Sequence, residues 1–142
     1  MALRLRPLGQ LVVHPHESFQ TPGPIAERSA SLMRSARWTS DLFELEANGG
    51  FGTYLSGPHA AEVSVRLVFR STDGLVLYLD YVARGHMPSH AAGLTPVFMA
   101  GRVDVDPRVE KLAWLNQTQV VGRGMLTTSP LAQTYEMYAL AG

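Results

Sequence analysis

The sequence predicts an all-β protein: a single antiparallel β-barrel of about eight strands spanning 1–142, with short connecting loops and at most one short helix. Proline and glycine interrupt the 142-residue chain at short intervals, among them Pro7, Gly9, Pro22, Pro24, Gly49-Gly50, Gly57-Pro58, Gly74, Gly85, Pro96, Gly101, Pro107, Gly122 and Pro130, which leaves long helices no room. The stretches between these breaks favour Val, Leu, Tyr and Thr with period-two alternation, the pattern of half-buried strands. Eight such stretches in one small domain close most naturally into a barrel or a sandwich.

Taken in order, the first predicted strand is 8–14. Residues 24–33 form the one plausible helical turn, with Pro24 near its start and Glu27 early, although its serines favour a lid or connector equally. Strands 41–47 and 51–56 flank Gly49-Gly50. Strands 61–71 and 75–85 are two alternating runs around Asp73-Gly74, a β-hairpin. A two-residue turn there sets Leu67 against Asp80. A three-residue loop over Thr72-Asp73-Gly74 sets Arg66 against Asp80 and Glu62 against Arg84, and it gathers Val63, Val65, Leu67, Phe69, Leu75, Leu77, Leu79 and Tyr81 on one face. Matched cross-strand pairs contribute roughly 0.2–1 kcal/mol each, so the second register is preferred. Strand 95–105 alternates Val103 and Val105 with Asp104 and Asp106, which puts both acids on the solvated face. Strands 111–122 and 133–140 complete the set. On 111–122, Trp114, Asn116, Thr118 and Val120 would share a face.

Composition bounds the chemistry. Twelve Lys and Arg balance twelve Asp and Glu, 46% of residues are hydrophobic and 17% charged, so neither disorder nor a nucleic-acid surface is expected. The chain has no cysteine, which excludes disulfides, thiolate nucleophiles and Cys-ligated metal. At this length roughly two-thirds of the unfolded surface can be buried, so folding needs no staple. No apolar run reaches the ~18 residues of a membrane span, and Met1–Pro7 lacks the apolar centre of a secretory signal. A cytoplasmic protein with no membrane partner is the expectation. Phosphate-cradling, dinucleotide and nucleophile-elbow motifs are absent, which leaves nucleotide-driven chemistry and the common serine hydrolases without support.

The hairpin segment Val65-Arg66-Leu67 through Arg70-Ser71-Thr72-Asp73-Gly74-Leu75-Val76-Leu77-Tyr78, then Phe98, Lys111-Leu112-Ala113-Trp114-Leu115-Asn116 and Val120-Val121-Gly122-Arg123-Gly124, resembles the family labelled domain of unknown function 3237. The match spans about residues 60 to 140, with Asp73-Gly74 and Trp114-Leu115-Asn116 its firmest points. The resemblance implies a compact antiparallel β-barrel with no cofactor and no agreed activity. The chain departs from the family pattern where Gly49-Gly50 continue as Phe51-Gly52-Thr53-Tyr54, without the usual acid, and where Leu67 and Met99 replace Tyr and Arg. Residues 22–37 align poorly and suggest a private cover over the barrel mouth, where substrate choice would reside.

Candidate site residues follow from residue chemistry. Asp80 is the first candidate acid or base, since the less favoured register would bury it beside Leu67, Phe69 and Tyr78; pairing with Arg66 is the bland alternative. His86, just beyond a strand end at Gly85, can reach over a barrel mouth, and His86 with His90, like His14 with His16, falls short of a metal-site pattern. Asn116 offers a donor and an acceptor for an enol or carbonyl oxygen, or else satisfies backbone at a strand irregularity. Trp114 would supply a flat wall, with Phe69 and Phe98 as further apolar lining, and Tyr54, Tyr81 and Tyr138 would add hydroxyls. Six methionines line an adaptable cavity or fill gaps. Together these residues predict a hollow barrel sized for one hydrophobic small molecule, aromatic or polyketide-like. Its function is either a cofactor-independent isomerase, cyclase or lyase, or a non-catalytic carrier; a filled structural barrel and a homo-oligomer are the remaining options.

Overall fold

The computed structural model describes residues 2–86, 94–128 and 131–141. Nine strands run in chain order as β1 (Arg4–Thr21), β2 (Glu27–Thr39), β3 (Glu44–Ala47), β4 (Gly50–Ser56), β5 (Ala61–Arg70), β6 (Val76–Gly85), β7 (Leu94–Val105), β8 (Val120–Thr128) and β9 (Leu131–Ala141). Every pairing between them is antiparallel, and the sheet closes because β1 pairs with both β2 and β9. The short β3 and β4 occupy one barrel position between them: β2 pairs with β3 through Ala36–Thr39 and with β4 through Glu27–Leu32. The ring therefore has eight positions, and closure removes the exposed edges that an open sheet of this size would carry.

The β5–β6 hairpin adopts the three-residue loop. The Ser71 amide donates to the Leu75 carbonyl at 2.9 Å, Gly74 takes φ +89°, and Arg66 faces Asp80 while Glu62 faces Arg84. Left-handed backbone at that corner is open to glycine at little cost, which is why Asp-Gly fixes the register. The inward row is the expected one: Val65, Leu67, Leu77 and Leu79 are all buried.

Three expectations need correction. Residues 24–33 are neither helix nor lid, since β2 begins at Glu27 and continues the barrel. The predicted strand 111–122 is a 3-10 turn over Ala113–Gln117 followed by β8. The interior is also mostly solid. Trp38 packs edge-on against Phe43 and Phe69, with ring centroids 5.0 and 6.0 Å away, and donates its indole N–H to the Leu8 carbonyl at 2.8 Å. Leu112 and Leu115, fully buried, plug that end from the 3-10 segment. Full burial of each such side chain contributes about 1.5–3 kcal/mol, so this closed end is where packing holds the barrel together. The opposite end, where β1, β4, β6 and β8 finish, is open among the described residues. Among the described residues no helix is long and apolar enough to cross a membrane.

Candidate functional site

Polar side chains enter the barrel interior at its open end. Gln133 and Tyr135 of β9 alternate with outward residues, as do Tyr81 of β6 and Tyr54 of β4, so the pleat aims all four inward. Gln133 Oε1 accepts the hydroxyls of both Tyr81 and Tyr135 at 2.9 Å, and Gln133 Nε2 donates to the Tyr54 hydroxyl at 3.4 Å. Buried Ser31, on the neighbouring β2, has its Oγ 2.7 Å from that of Ser18 near the surface. The Tyr81 and Tyr135 rings stack edge-to-face at 5.8 Å.

Burial fixes the protonation of this cluster. Desolvation pushes the Tyr81 hydroxyl far above its ordinary value, with further repulsion from Tyr135 and Tyr54. Desolvation likewise raises Tyr135, reinforced by Tyr54, and raises Tyr54 against the opposing hydrogen bonds of Ser31 and Gln133. All three are neutral phenols near neutral pH; Tyr81 and Tyr135 donate to Gln133, and Tyr54 accepts from it. Among the described residues, no buried side-chain nitrogen or oxygen is without a partner.

Two depressions open above the cluster. One, of about 140 Å³, is lined by Ser18, Gln20, Glu27, Ser29, Tyr54 and Leu126. The other is pinched to about 10 Å³ and brings His86 to the same rim as Gln133, Tyr135 and Leu126. The closed end is filled, and both depressions are smaller than a barrel hollow throughout would offer. Yet 140 Å³ approaches the ~150 Å³ of an engineered cavity that admits a benzene ring.

Of the residues chosen from sequence, the structure gathers Tyr54, Tyr81 and His86 at this mouth and disperses the others. Asp80 points outward, 3.5 Å from the Arg102 guanidinium on β7. Phe98 is exposed on the outer face, 60% accessible. Phe69 lies in the closed-end core against Trp38. Asn116 is spent on the Val105 backbone, accepting its N–H and donating to its carbonyl, both at 2.8 Å. Trp114, on the same 3-10 turn, carries the Arg6 guanidinium 4.2 Å over its ring and donates to the Lys111 carbonyl. Trp114 and Asn116 are thus at the opposite end from the mouth. Tyr138 faces outward and bonds to Glu136, whereas Tyr135, three residues earlier, holds the interior position. His90 lies outside the described residues. Gln133, Tyr135 and Ser31 were missed. Their signal was phase: Gln133, Tyr135, Met137 and Ala139 form one inward row, with a polar residue at the end nearest a turn. Among the described residues no three His, Asp or Glu side chains come together as metal ligands.

Fold and site define a closed β-barrel with a solid base and a phenol-lined mouth. No family model and no curated protein match the chain. Solved structures do. A beta-barrel-like protein from Acinetobacter baumannii aligns with TM-score 0.84 at 18% identity, covering 99% of this chain and 98% of that one. A protein of unknown function from Clostridium acetobutylicum aligns at 0.81 and 14% identity, over 99% of this chain and all of the other. An enzyme from Penicillium herquei aligns at 0.71 and 12% identity, over 99% and 94% of the two chains. At these identities the likeness is one of fold.

Proposed function

We propose that the chain binds a small, oxygenated, hydrophobic molecule at the barrel mouth and rearranges it by proton transfer, in an isomerisation, cyclisation or elimination that uses no cofactor. The observation that carries this is a cavity of about 140 Å³ whose inner wall is a half-buried phenol, Tyr54, already engaged in a glutamine–tyrosine network. One ring fills that volume, and the remainder of an aromatic or polyketide-like ligand projects through the mouth. The Tyr54 hydroxyl is suited to hold a carbonyl or enol oxygen, because a neutral phenol kept in place by neighbours stabilises charge developing there. Glu27, on the cavity wall, and His86, on the adjoining rim, are the groups able to take or return a proton. The Penicillium herquei neighbour is described as an enzyme, and its barrel supports the catalytic reading. Membership of the domain of unknown function 3237 family belongs to the same proposal, supported by the barrel and by the Asp73-Gly74 corner.

The non-catalytic alternative, a barrel that only carries such a molecule, is favoured by one feature: the two proton-transfer candidates, Glu27 and His86, are exposed rather than buried. Thermal shift with aromatic ketones and phenols, followed by product analysis, separates the two. Ligands of this class are expected to raise the melting temperature. Tyr54→Phe should reduce that rise and Leu126→Trp, which fills the mouth, should abolish it. Rises unaltered in both variants would place the ligand elsewhere. Turnover that falls at least tenfold in Glu27→Gln or His86→Ala favours the enzyme, whereas binding without product favours the carrier.

A further inference from the structure

On the outer wall, the register of β4 to β7 sets three rows side by side. The first reads Phe51, Arg66, Asp80, Arg102; the second Thr53, Ser64, Val82, Ala100; the third Leu55, Glu62, Arg84, Phe98. The middle row carries only small or apolar side chains. The outer rows carry charge together with exposed Phe51, Leu55 and Phe98, at 50, 41 and 60% accessibility, and Val82 is 41% accessible between them. Exposed apolar groups gathered on one face mark an interaction surface more often than scattered ones do.

We infer that this face pairs with a second copy of the chain about a two-fold axis running across the strands along the middle row. That operation lays row one over row three of the partner. Arg66 then meets the partner's Glu62, Asp80 meets the partner's Arg84, Arg102 meets the partner's Phe98, and Phe51 meets the partner's Leu55, each contact occurring twice. Self-complementarity of this kind is what a two-fold interface requires. The charge order also rejects the competing axes. An axis along β6 stacks Asp80 on its own copy and Arg66 on Arg102; one along β5 stacks Arg66 on itself. Shape agrees with charge. A hollow of about 610 Å³, bordered by Phe51, Arg66, Asp80 and Arg102, spans rows one and two and takes in Thr53, Ser64, Val82 and Ala100 of the middle row. The Arg84 side chain of row three extends into solvent, 78% accessible, and under this operation meets the row-one side of the second copy's hollow. Within one chain Glu62 already pairs with Arg84 at 3.2 Å and Asp80 with Arg102 at 3.5 Å. Association links these pairs into alternating charge networks on either side of the axis.

Sedimentation equilibrium at tens of micromolar is expected to give twice the 15.5 kDa chain mass; a monomer would overturn the inference. Val82→Arg places two guanidinium groups on the axis and should give monomers with the wild-type circular dichroism spectrum, and a dimer surviving that change would also overturn it. The sharpest test is complementation. Arg84→Glu alone opposes two carboxylates across the interface, and Asp80→Arg alone opposes two guanidiniums, so each variant should be monomeric. An equimolar mixture restores both attractions and should dimerise at least tenfold more tightly than either variant alone. A mixture as weak as its components would refute the proposed axis, even with a wild-type dimer.

Discussion

A buried glutamine brings one carbonyl with two acceptor positions and one amide with two donors, and Gln133 spends its oxygen on two tyrosine hydroxyls and an N–H on a third. Replacing it by Leu would orphan the Tyr81 and Tyr135 hydroxyls among apolar neighbours, so the phenols at the mouth depend on this one side chain. Asn116 does comparable work at the other end, where its amide stands in for a strand partner of Val105. Asn116→Ala leaves that backbone N–H and carbonyl unpaired. The expected cost is about 1–3 kcal/mol, read as a lower urea midpoint, with ligand-induced stabilisation at the mouth unchanged. Loss of ligand binding in a variant of normal stability would contradict this placement. Residue type alone does not separate the two amides: it leads to Asn116 and passes over Gln133, and it puts Asp80 ahead of Tyr54. What distinguishes them is depth within the barrel and direction from the sheet, and only alternation phase records direction. Phase placed Tyr81 correctly inside. On the last strand the same phase puts Tyr135 inside and Tyr138 outside.

At the scale of elements, legibility followed regularity. The β5–β6 hairpin was readable to the register because two unbroken period-two runs meet at Asp-Gly and only one loop length pairs the charges. β2 was invisible because its inward residues, Ser31 and Met33 and then Ala36 and Trp38, change phase at an irregularity opposite Pro15, and its serines imitate a loop. The segment before β8 was misread for a different reason: its buried residues are Leu112 and Leu115, three apart, which is the 3-10 period. β1 carries a further irregularity, between Pro7 and Gln10. There Gly9 has φ +76°, and a Cβ would lie 1.8 Å from the Thr39 carbonyl oxygen. This bulge turns Leu8 into the core, where its carbonyl receives the Trp38 indole. Gly9→Ala therefore strains the backbone and displaces β2 at once. It should destabilise by more than about 1 kcal/mol, and an unchanged urea midpoint would show that the bulge is not needed.

Over the whole molecule the barrel divides its labour: packing holds the closed end, while the open end carries a polar cluster whose protonation is tied to the fold. Three of the five tyrosines, Tyr54, Tyr81 and Tyr135, have hydroxyls raised above their ordinary value, first of all by burial. Below about pH 10 folded and unfolded chains both keep these protons, so the cluster's contribution is complete. Above that the unfolded chain releases protons that the folded chain retains. Unfolding is then favoured as pH rises, by up to about 1.4 kcal/mol per pH unit for each phenol, until the folded groups ionise in turn. Urea titrations between about pH 9 and pH 11 should show stability falling with this sign. Phenolate absorbance from the three buried rings should appear together with loss of the circular dichroism signal rather than before it. Tyr135→Phe removes one of the three groups, and with it part of the push on Tyr81, and should flatten the decline. A wild-type chain whose buried rings ionise at ordinary alkaline pH while the barrel remains folded would mean that water reaches the cluster freely. The mouth would then be too wet to hold a ligand oxygen by neutral phenols, and the Tyr54 role proposed above would fail with it.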